Sequence, residues 1–337
     1  MSDAAADLRA MIAAYWKPHA ICAAARLGLA DALGDASLDA ATLAAKIDAD
    51  AANLERFLRA LASIGIVLDK GDGTFALTEM GQRLRADHAE SLRGMARHVG
   101  TQLSPSFAQL TECVAKGRPP EGIAYGTQGF DDLNDDAKAA AIFNQAMVDS
   151  SRRFAAEAVQ AYDVTGFASF ADIGGGHGMV LAELLKAAPD ATGFVLDLPH
   201  AEEGAKALFA RQGVADRARF VGGSFFDPIT HAADCYMLKY ILHDWDDEHA
   251  RQIIRRVGAA ARDHGATVLL IERILPETVQ ERGDHAIAMY GDMTMMLWNG
   301  RERTKAQFEQ LLAEGDLVLT RTAALSDNHY VIEALSN

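Results

Sequence analysis

Residues able to do chemistry gather in the second half of the chain. Ala171-Asp172-Ile173-Gly174-Gly175-Gly176-His177-Gly178 is an apolar strand end running into a glycine-rich turn. Glycines at this spacing let the backbone bend sharply after a parallel strand and let a ligand approach where a Cβ would block it. The next apolar run, Val195-Leu196-Asp197-Leu198-Pro199, closes on an acid. An acid at the C-terminal edge of a second strand is placed to take the two hydroxyls of a ribose. Together the two features predict a nucleoside-containing cofactor. The turn alone is a weak signal, since dinucleotide-binding folds share a similar one and a purely structural turn would look alike.

Two further segments leave strand ends. Gly222-Gly223-Ser224-Phe225-Phe226-Asp227-Pro228 combines glycines that admit a ligand with an aromatic ring that could cover an adenine face, or that could simply be a buried pair. Leu238-Lys239-Tyr240-Ile241-Leu242-His243-Asp244-Trp245-Asp246-Asp247-Glu248 runs from a strand into a helix. Its acids suit a helix start, with Asp246 or Asp247 as N-cap. That explains the acids but not His243, which beside a cofactor pocket can act as a general base near neutral pH. Further on, Met289, Met293 and Met296 share helical spacing, with Trp298 nearby. They would serve as core or as an adaptable apolar pocket lining. No His, Asp or Glu cluster with metal-ligand spacing is visible along the chain, so no metal is expected.

The elements that must position these residues alternate. Candidate strands at 169–173, 193–196, 218–221, 235–238 and 267–271 are separated by helical stretches such as 201–212 and 248–263, the pattern of a doubly wound sheet. Two strands with almost no spacer then follow, 317–323 and 330–334, joined by Ser326-Asp327-Asn328. So tight a reversal means an antiparallel final hairpin, which points away from a nicotinamide-type fold and towards the class I methyltransferase fold. The first hundred residues read as helices over 8–33, 39–47 and 53–64, then a hairpin over 66–78, a winged-helix pattern. Residues 1–95 hold 10 Lys and Arg against 13 Asp and Glu, and the whole chain carries a net charge of −15. An acidic module makes a poor partner for phosphates, so dimerisation or a lid is the better reading than DNA binding. Between the halves, 93–129 is helical and then broken by Gly117, Pro119, Pro120, Gly122 and Gly126, and a helix is expected from about Asp135 to Tyr162. At 337 residues, half of them apolar, the chain has room for two cored domains. Three cysteines without metal-type spacing, no signal-like N-terminus and no membrane-length apolar run predict a cytoplasmic protein.

The order of the segments 172–178, 196–200, 238–248, 271–276 and 301–304 resembles that of the S-adenosylmethionine-dependent class I O-methyltransferases. The likeness is to the caffeate/flavonoid type and its bacterial natural-product relatives (hydroxyneurosporene-, polyketide- and phenazine-like). It covers nearly the whole chain, and Leu-His-Asp-Trp-x-Asp-Glu and Arg-Glu-Arg-Thr are its most specific parts. The resemblance implies an α/β fold: a Rossmann-like methyltransferase domain with a seven-stranded sheet and an antiparallel final hairpin, after an N-terminal α-helical, winged-helix-like dimerisation domain. The implied division is 1–100, 101–162 with linker and acceptor-bordering helices, and 163–337. S-adenosyl-L-methionine would be held by Gly174, Gly176, Asp197, Leu198, Ser224, Phe225 and Lys239. His243 would be the base, flanked by Glu272 and Glu302, and Phe143, Met147, Met289, Met293, Trp298 and Asn299 would border a small-molecule acceptor. A homodimer is implied, with no nucleic-acid or membrane partner. Two departures stand out: Ser224 replaces the aspartate common in the plant enzymes, and Trp298-Asn299-Gly300-Arg301 is shorter than their Asn-Pro-Gly-Gly-Lys loop. N-methylation, a non-methylating decarboxylase or hydroxylase, and a ligand-sensing DNA-binding regulator remain as alternatives on the same fold.

Overall fold

The computed structural model of the chain describes residues 3–119, 136–279 and 286–337. Pro120, Gly122, Gly126 and Asp135 of the expected linker and helix start lie outside them. The chain forms two compact units, residues 1–105 with 141–150 and residues 106–140 with 151–337.

In the N-terminal unit, the helix expected over 8–33 is three helices, α1 (Ala4–Ala13), α2 (Trp16–Leu27) and α3 (Leu29–Leu33). Pro18 explains the first break. It lacks the N–H that would bond the carbonyl of Ala14, and its ring would collide with that carbonyl, so Pro18 sits instead in the first turn of a new helix. Gly28, at φ +66°, makes the second break by closing α2 in the left-handed conformation. Met11, Ile12, Tyr15 and Trp16, apolar residues at helical spacing, are all exposed. Helices α4 (Ala40–Ile47) and α5 (Ala51–Ser63) start at Asp39 and Asp50, whose side chains accept from Thr42 N and Asn53 N. Strands β2 (Val67–Asp69) and β3 (Thr74–Leu77) form the expected hairpin, and β1 (Leu38–Asp39) adds a third strand beside β3. Leu29, Leu33, Leu43, Leu54, Leu58, Leu61 and Phe75 fill the core between them. Of the two basic groups on α5, Arg59 is paired with Glu55 at 2.6 Å.

In the C-terminal unit seven strands lie in the order β10-β11-β8-β7-β4-β5-β6. They are β4 (Ser169–Ile173), β5 (Thr192–Asp197), β6 (Ala218–Gly222), β7 (Cys235–Lys239), β8 (Thr267–Leu275), β10 (Leu317–Ala324) and β11 (His329–Ser336). The two-residue β9 (Arg303–Thr304) joins the far end of β8. Strands β8, β7, β4, β5 and β6 run parallel, while β11 is antiparallel to β8 and to β10. Because β4 pairs with both β5 and β7, the strand order reverses there, and ligands of open α/β sheets bind at the carboxyl ends beside such a reversal. The helix over Asp247–His264 buries Ala250, Ile253, Ile254, Val257 and Ala261, one stripe at three- and four-residue spacing, against this sheet. Asp246 caps it, accepting from His249 N at 3.0 Å. Among the described residues, no helix is long and apolar enough to cross a membrane.

Candidate functional site

At the carboxyl end of β4 the glycine turn is held by its neighbours. Gly174 N donates to Leu196 O at 2.8 Å and Gly176 N to Asp197 Oδ2 at 2.6 Å, while Leu198 N donates to Asp197 Oδ1 at 2.6 Å. Gly174 and Gly176 have φ of +70° and +56°, which L side chains rarely adopt. A Cβ on Gly174 would lie 2.5 Å from Ile241 and 3.2 Å from Phe225, whereas one on Gly176 would meet nothing within 4 Å. The turn is thus tight on one side and open on the other. A carboxylate already oriented by two backbone N–H groups stands beside that opening, and a ring, Phe225, lies against the turn. These residues fit a nucleoside-bearing cofactor. Ser224 is turned inward on its own loop, its hydroxyl accepting from Phe226 N at 3.2 Å. Lys239 ends β7 with its ammonium 3.6 Å from the Tyr240 ring centroid, and burial pushes it down to about 7.

Beyond Lys239 the chain brings His243, Glu272 and Glu302 together from three separate segments. All three are buried, at 5 %, 0 % and 1 % exposure, so neither acid is a surface salt-bridge residue. His243 Nδ1 lies 3.1 Å from Glu302 Oε1 and 3.6 Å from Glu272 Oε2. Glu272 reaches the site from within β8, and its Oε1 accepts from Ile241 N and Leu242 N at 3.1 and 3.0 Å. Glu302 comes from the loop before β9, where its own N–H donates to Asp292 Oδ1. Burial alone would depress the imidazole pKa. The carboxylates of Glu302, Asp244 and Glu272 outweigh it and raise His243 to about 9. Burial raises Glu272, whereas for Glu302 the His243 and Arg273 charges overcome burial and hold the carboxyl below its usual range.

Four partners of this cluster escape a reading along the chain. Asp244, which counts in the sequence as one more acid of a helix start, lies with Oδ1 3.3 Å from His243 Nε2, and burial pushes it up to about 7. Arg273 shares Glu302 Oε1 with the histidine, at 2.8 Å. Arg303, only 2 % exposed, donates to the carbonyls of Leu242 (2.6 Å) and Trp245 (3.2 Å) and to Asp247 Oδ1 (2.9 Å), so it ties down both ends of the histidine turn. Tyr240 stacks on the imidazole, with centroids 4.7 Å apart. The sequence holds one clue, since both arginines adjoin the two glutamates, but adjacency cannot say which carboxylate each will meet. Spacing along the chain hides a further property of this cluster. In space His243, Glu272 and Glu302 offer ligand atoms within 4.8 Å of one another, although no two are near in sequence. Their remaining neighbours are the Arg273 guanidinium on Glu302 and backbone donors on Glu272.

A family profile described as the O-methyltransferase domain matches residues 107–316, and one described as the O-methyltransferase dimerisation domain matches residues 10–87. The chain belongs to the S-adenosylmethionine-dependent O-methyltransferases. It is 33% identical to phenazine O-methyltransferase PhzM of Lysobacter antibioticus, over 96% of this chain and 94% of that protein. Of solved structures, LaPhzM superposes with a TM-score of 0.92 at 31% identity, covering all of both chains. The neocarzinostatin-biosynthesis O-methyltransferase NcsB1, in complex with S-adenosylmethionine and 2-hydroxy-5-methyl naphthoic acid, superposes with a TM-score of 0.75 at 32% identity, covering 95% of this chain and 96% of that one.

The remaining expected pocket residues are spread over both units. Met289 and Met293 stand half-buried on the helix Ala286–Met296, whose Gly291 packs so closely that a Cβ there would lie 2.7 Å from Arg273 and 3.1 Å from Glu302. Trp298 is buried and Asn299 exposed, its amide donating to Asp246 at 3.2 Å. Met296, on the same helix, is at 36 % one of the exposed apolar side chains. Phe143 and Met147 belong to the N-terminal unit, half-buried on the helix Ala137–Ala161, where the Phe143 ring meets His98 edge-on.

Proposed function

We propose that His243 is the general base of methyl transfer to the hydroxyl of a flat, hydrophobic, aromatic small molecule. The observation that carries this is the buried histidine with Nδ1 against Glu302 and Glu272. Carboxylates on Nδ1 hold the proton there, leave the Nε2 lone pair for the acceptor, and stabilise the imidazolium once the proton has moved. Asp244 Oδ1, 3.3 Å from Nε2, meets the same edge, and the acceptor hydroxyl would have to take its place. S-adenosylmethionine supplies a methyl on a sulfonium, which leaves as a neutral thioether. The chain's part is to align the acceptor oxygen and to receive its proton at His243 Nε2. Such alignment can contribute several kcal/mol.

Gly174, Gly176, Asp197 and Leu198 would hold the sugar and methionine side of the cofactor, with Phe225, Ser224 and Lys239 at its adenine side. Met289, Met293, Trp298 and Asn299 would border the acceptor, and the aromatic substrates named for the relatives favour an aromatic ring there. We assign the cluster to proton transfer and not to a metal, so dialysis against EDTA should leave kcat unchanged. A large loss restored by a divalent cation would move these residues to a metal centre. The exposed α1–α2 stripe favours a homodimer, and three free, buried cysteines suit a reducing cytoplasm.

The decisive experiment is transfer from labelled S-adenosylmethionine to a panel of phenolic, naphthoic and phenazine hydroxyls, with amine counterparts alongside. His243→Gln should lower kcat on a hydroxyl acceptor by roughly 10²- to 10⁴-fold while cofactor binding, read by calorimetry, stays close to wild type. Near-intact transfer in that variant would remove His243 from the role.

A further inference from the structure

Tyr240 has an arrangement that proton transfer does not by itself require. Its φ is +58°, a left-handed backbone that a bulky aromatic adopts only where its surroundings over-determine it. Tyr240 N donates to Ile271 O at 3.1 Å, and the bend turns the next two N–H groups onto Glu272. The ring then lies on the imidazole of His243, 4.7 Å between centroids and 28° between planes. Its hydroxyl is hydrogen-bonded to His329 Nε2.

His329 is itself fixed. It is fully buried, its Nδ1–H donates to Ser326 O at 2.9 Å, and Phe154 packs on its ring at 3.8 Å. Ser326 is in turn anchored by Glu157, to which its N–H and hydroxyl donate at 2.9 and 2.6 Å. With Nδ1 carrying the proton, Nε2 is an acceptor and the tyrosine hydroxyl must be the donor. Burial holds the His329 pKa at about 3, so this acceptor stays neutral, and burial raises the Tyr240 phenol well above its ordinary value. Neither group is suited to exchange protons with His243.

We propose that Tyr240 is a positioning residue: its ring, tethered through the hydroxyl to His329, is the plate that holds the His243 imidazole with Nδ1 on Glu302 and Nε2 towards the acceptor. The final hairpin thereby reaches the reaction, because β11 places His329 opposite Arg273 and next to Tyr330, the partner of Glu272. This inference rests on His243 being the base, and two readouts keep the two claims apart. Kinetics report on catalysis, and ¹⁵N-histidine spectra above pH 9, with His243→Gln for assignment, report the tautomer of the ring directly.

Tyr240→Leu should lower kcat by roughly 10²-fold with little change in KM for either substrate. It should also turn a single Nδ1–H signal of His243 into a tautomer mixture, and Tyr240→Phe, which keeps the ring but loses the tether, should fall between Tyr240→Leu and wild type in rate. Wild-type kcat in Tyr240→Leu, or a loss of rate with the His243 tautomer unchanged, would overturn the proposal. Should that variant not fold, Tyr240→Phe/His329→Phe replaces the tether by an apolar pair. A reduced kcat with a mixed tautomer then supports the proposal, and wild-type behaviour in both overturns it. Should His243→Gln prove active, the base assignment fails, while a tautomer mixture in Tyr240→Leu still establishes the positioning.

Discussion

His243 must be neutral to accept a proton, yet in the ligand-free chain three carboxylates raise it to about 9. The profile of kcat/KM follows the free enzyme, so it should climb with pH until about 9 and then level. Glu302→Gln removes one of the raising charges and should move that limb to lower pH. The limb in kcat should also lie lower, because a cationic sulfonium near the ring disfavours imidazolium. Steady-state rates between pH 6 and 10 test both statements. A limb at the same pH in kcat and kcat/KM would mean that the titrating group does not face the cofactor. Asp197 shows the same dependence on neighbours: burial raises its carboxyl, while the N–H groups of Gly176 and Leu198 pull it back and aim it at the open side of the turn.

At the scale of elements, the site is a set of strand ends tied together by one buried cation. Arg303 bonds two carbonyls of the turn carrying His243 and the carboxylate of Asp247 at the start of the next helix. Removing it takes the donor from the carbonyls of Leu242 and Trp245, whereas Asp247 is half-exposed and keeps Arg301 at 3.0 Å. Arg303→Met should therefore destabilise the fold by about 2–3 kcal/mol in urea titrations. Its kcat should fall more than its cofactor affinity, since the histidine turn loses its tether and the glycine turn keeps its own. An unaltered unfolding midpoint would show that other contacts carry the turn. Gly300 contributes from the other side, as a Cβ there would lie 2.2 Å from the His243 carbonyl, the one that accepts from Arg301 N at 2.8 Å. The short loop that departs from the plant pattern is thus pressed against the turn that carries His243.

For the whole molecule, the net charge of −15 disfavours polyanions, and the N-terminal unit carries a dimerisation domain. Its exposed Met11, Ile12, Tyr15 and Trp16 form an apolar stripe that a single chain leaves in water. Met11→Glu with Trp16→Glu should convert a dimer to monomers in light scattering while leaving the circular dichroism spectrum unchanged. A dimer that survives both changes would place the seam elsewhere.

Much of the architecture was legible in residue order because it depends on local pattern: strand runs, helix stripes, the glycine turn at 174–178 and the spacer-free final pair of strands. Ends shifted by a few residues, as for β8, which runs on to Leu275 because β11 and β9 pair with its extension. The apolar spacing over 8–33 is continuous, but Pro18 and Gly28 divide it into three helices. The resemblance singled out His243, Glu272 and Glu302, but spacing could not show that they meet, since each lies on a different segment. Nor could it show that Asp244 faces Nε2, that Arg273 shares Glu302, or that His329 reaches Tyr240. Those relations depend on which strands neighbour one another and in what register. A one-residue slip of β11 against β8 would turn His329 to the opposite face. Residue types and their order determined which chemistry the chain can hold, and the pairing of β7, β8 and β11 decided which charges surround His243.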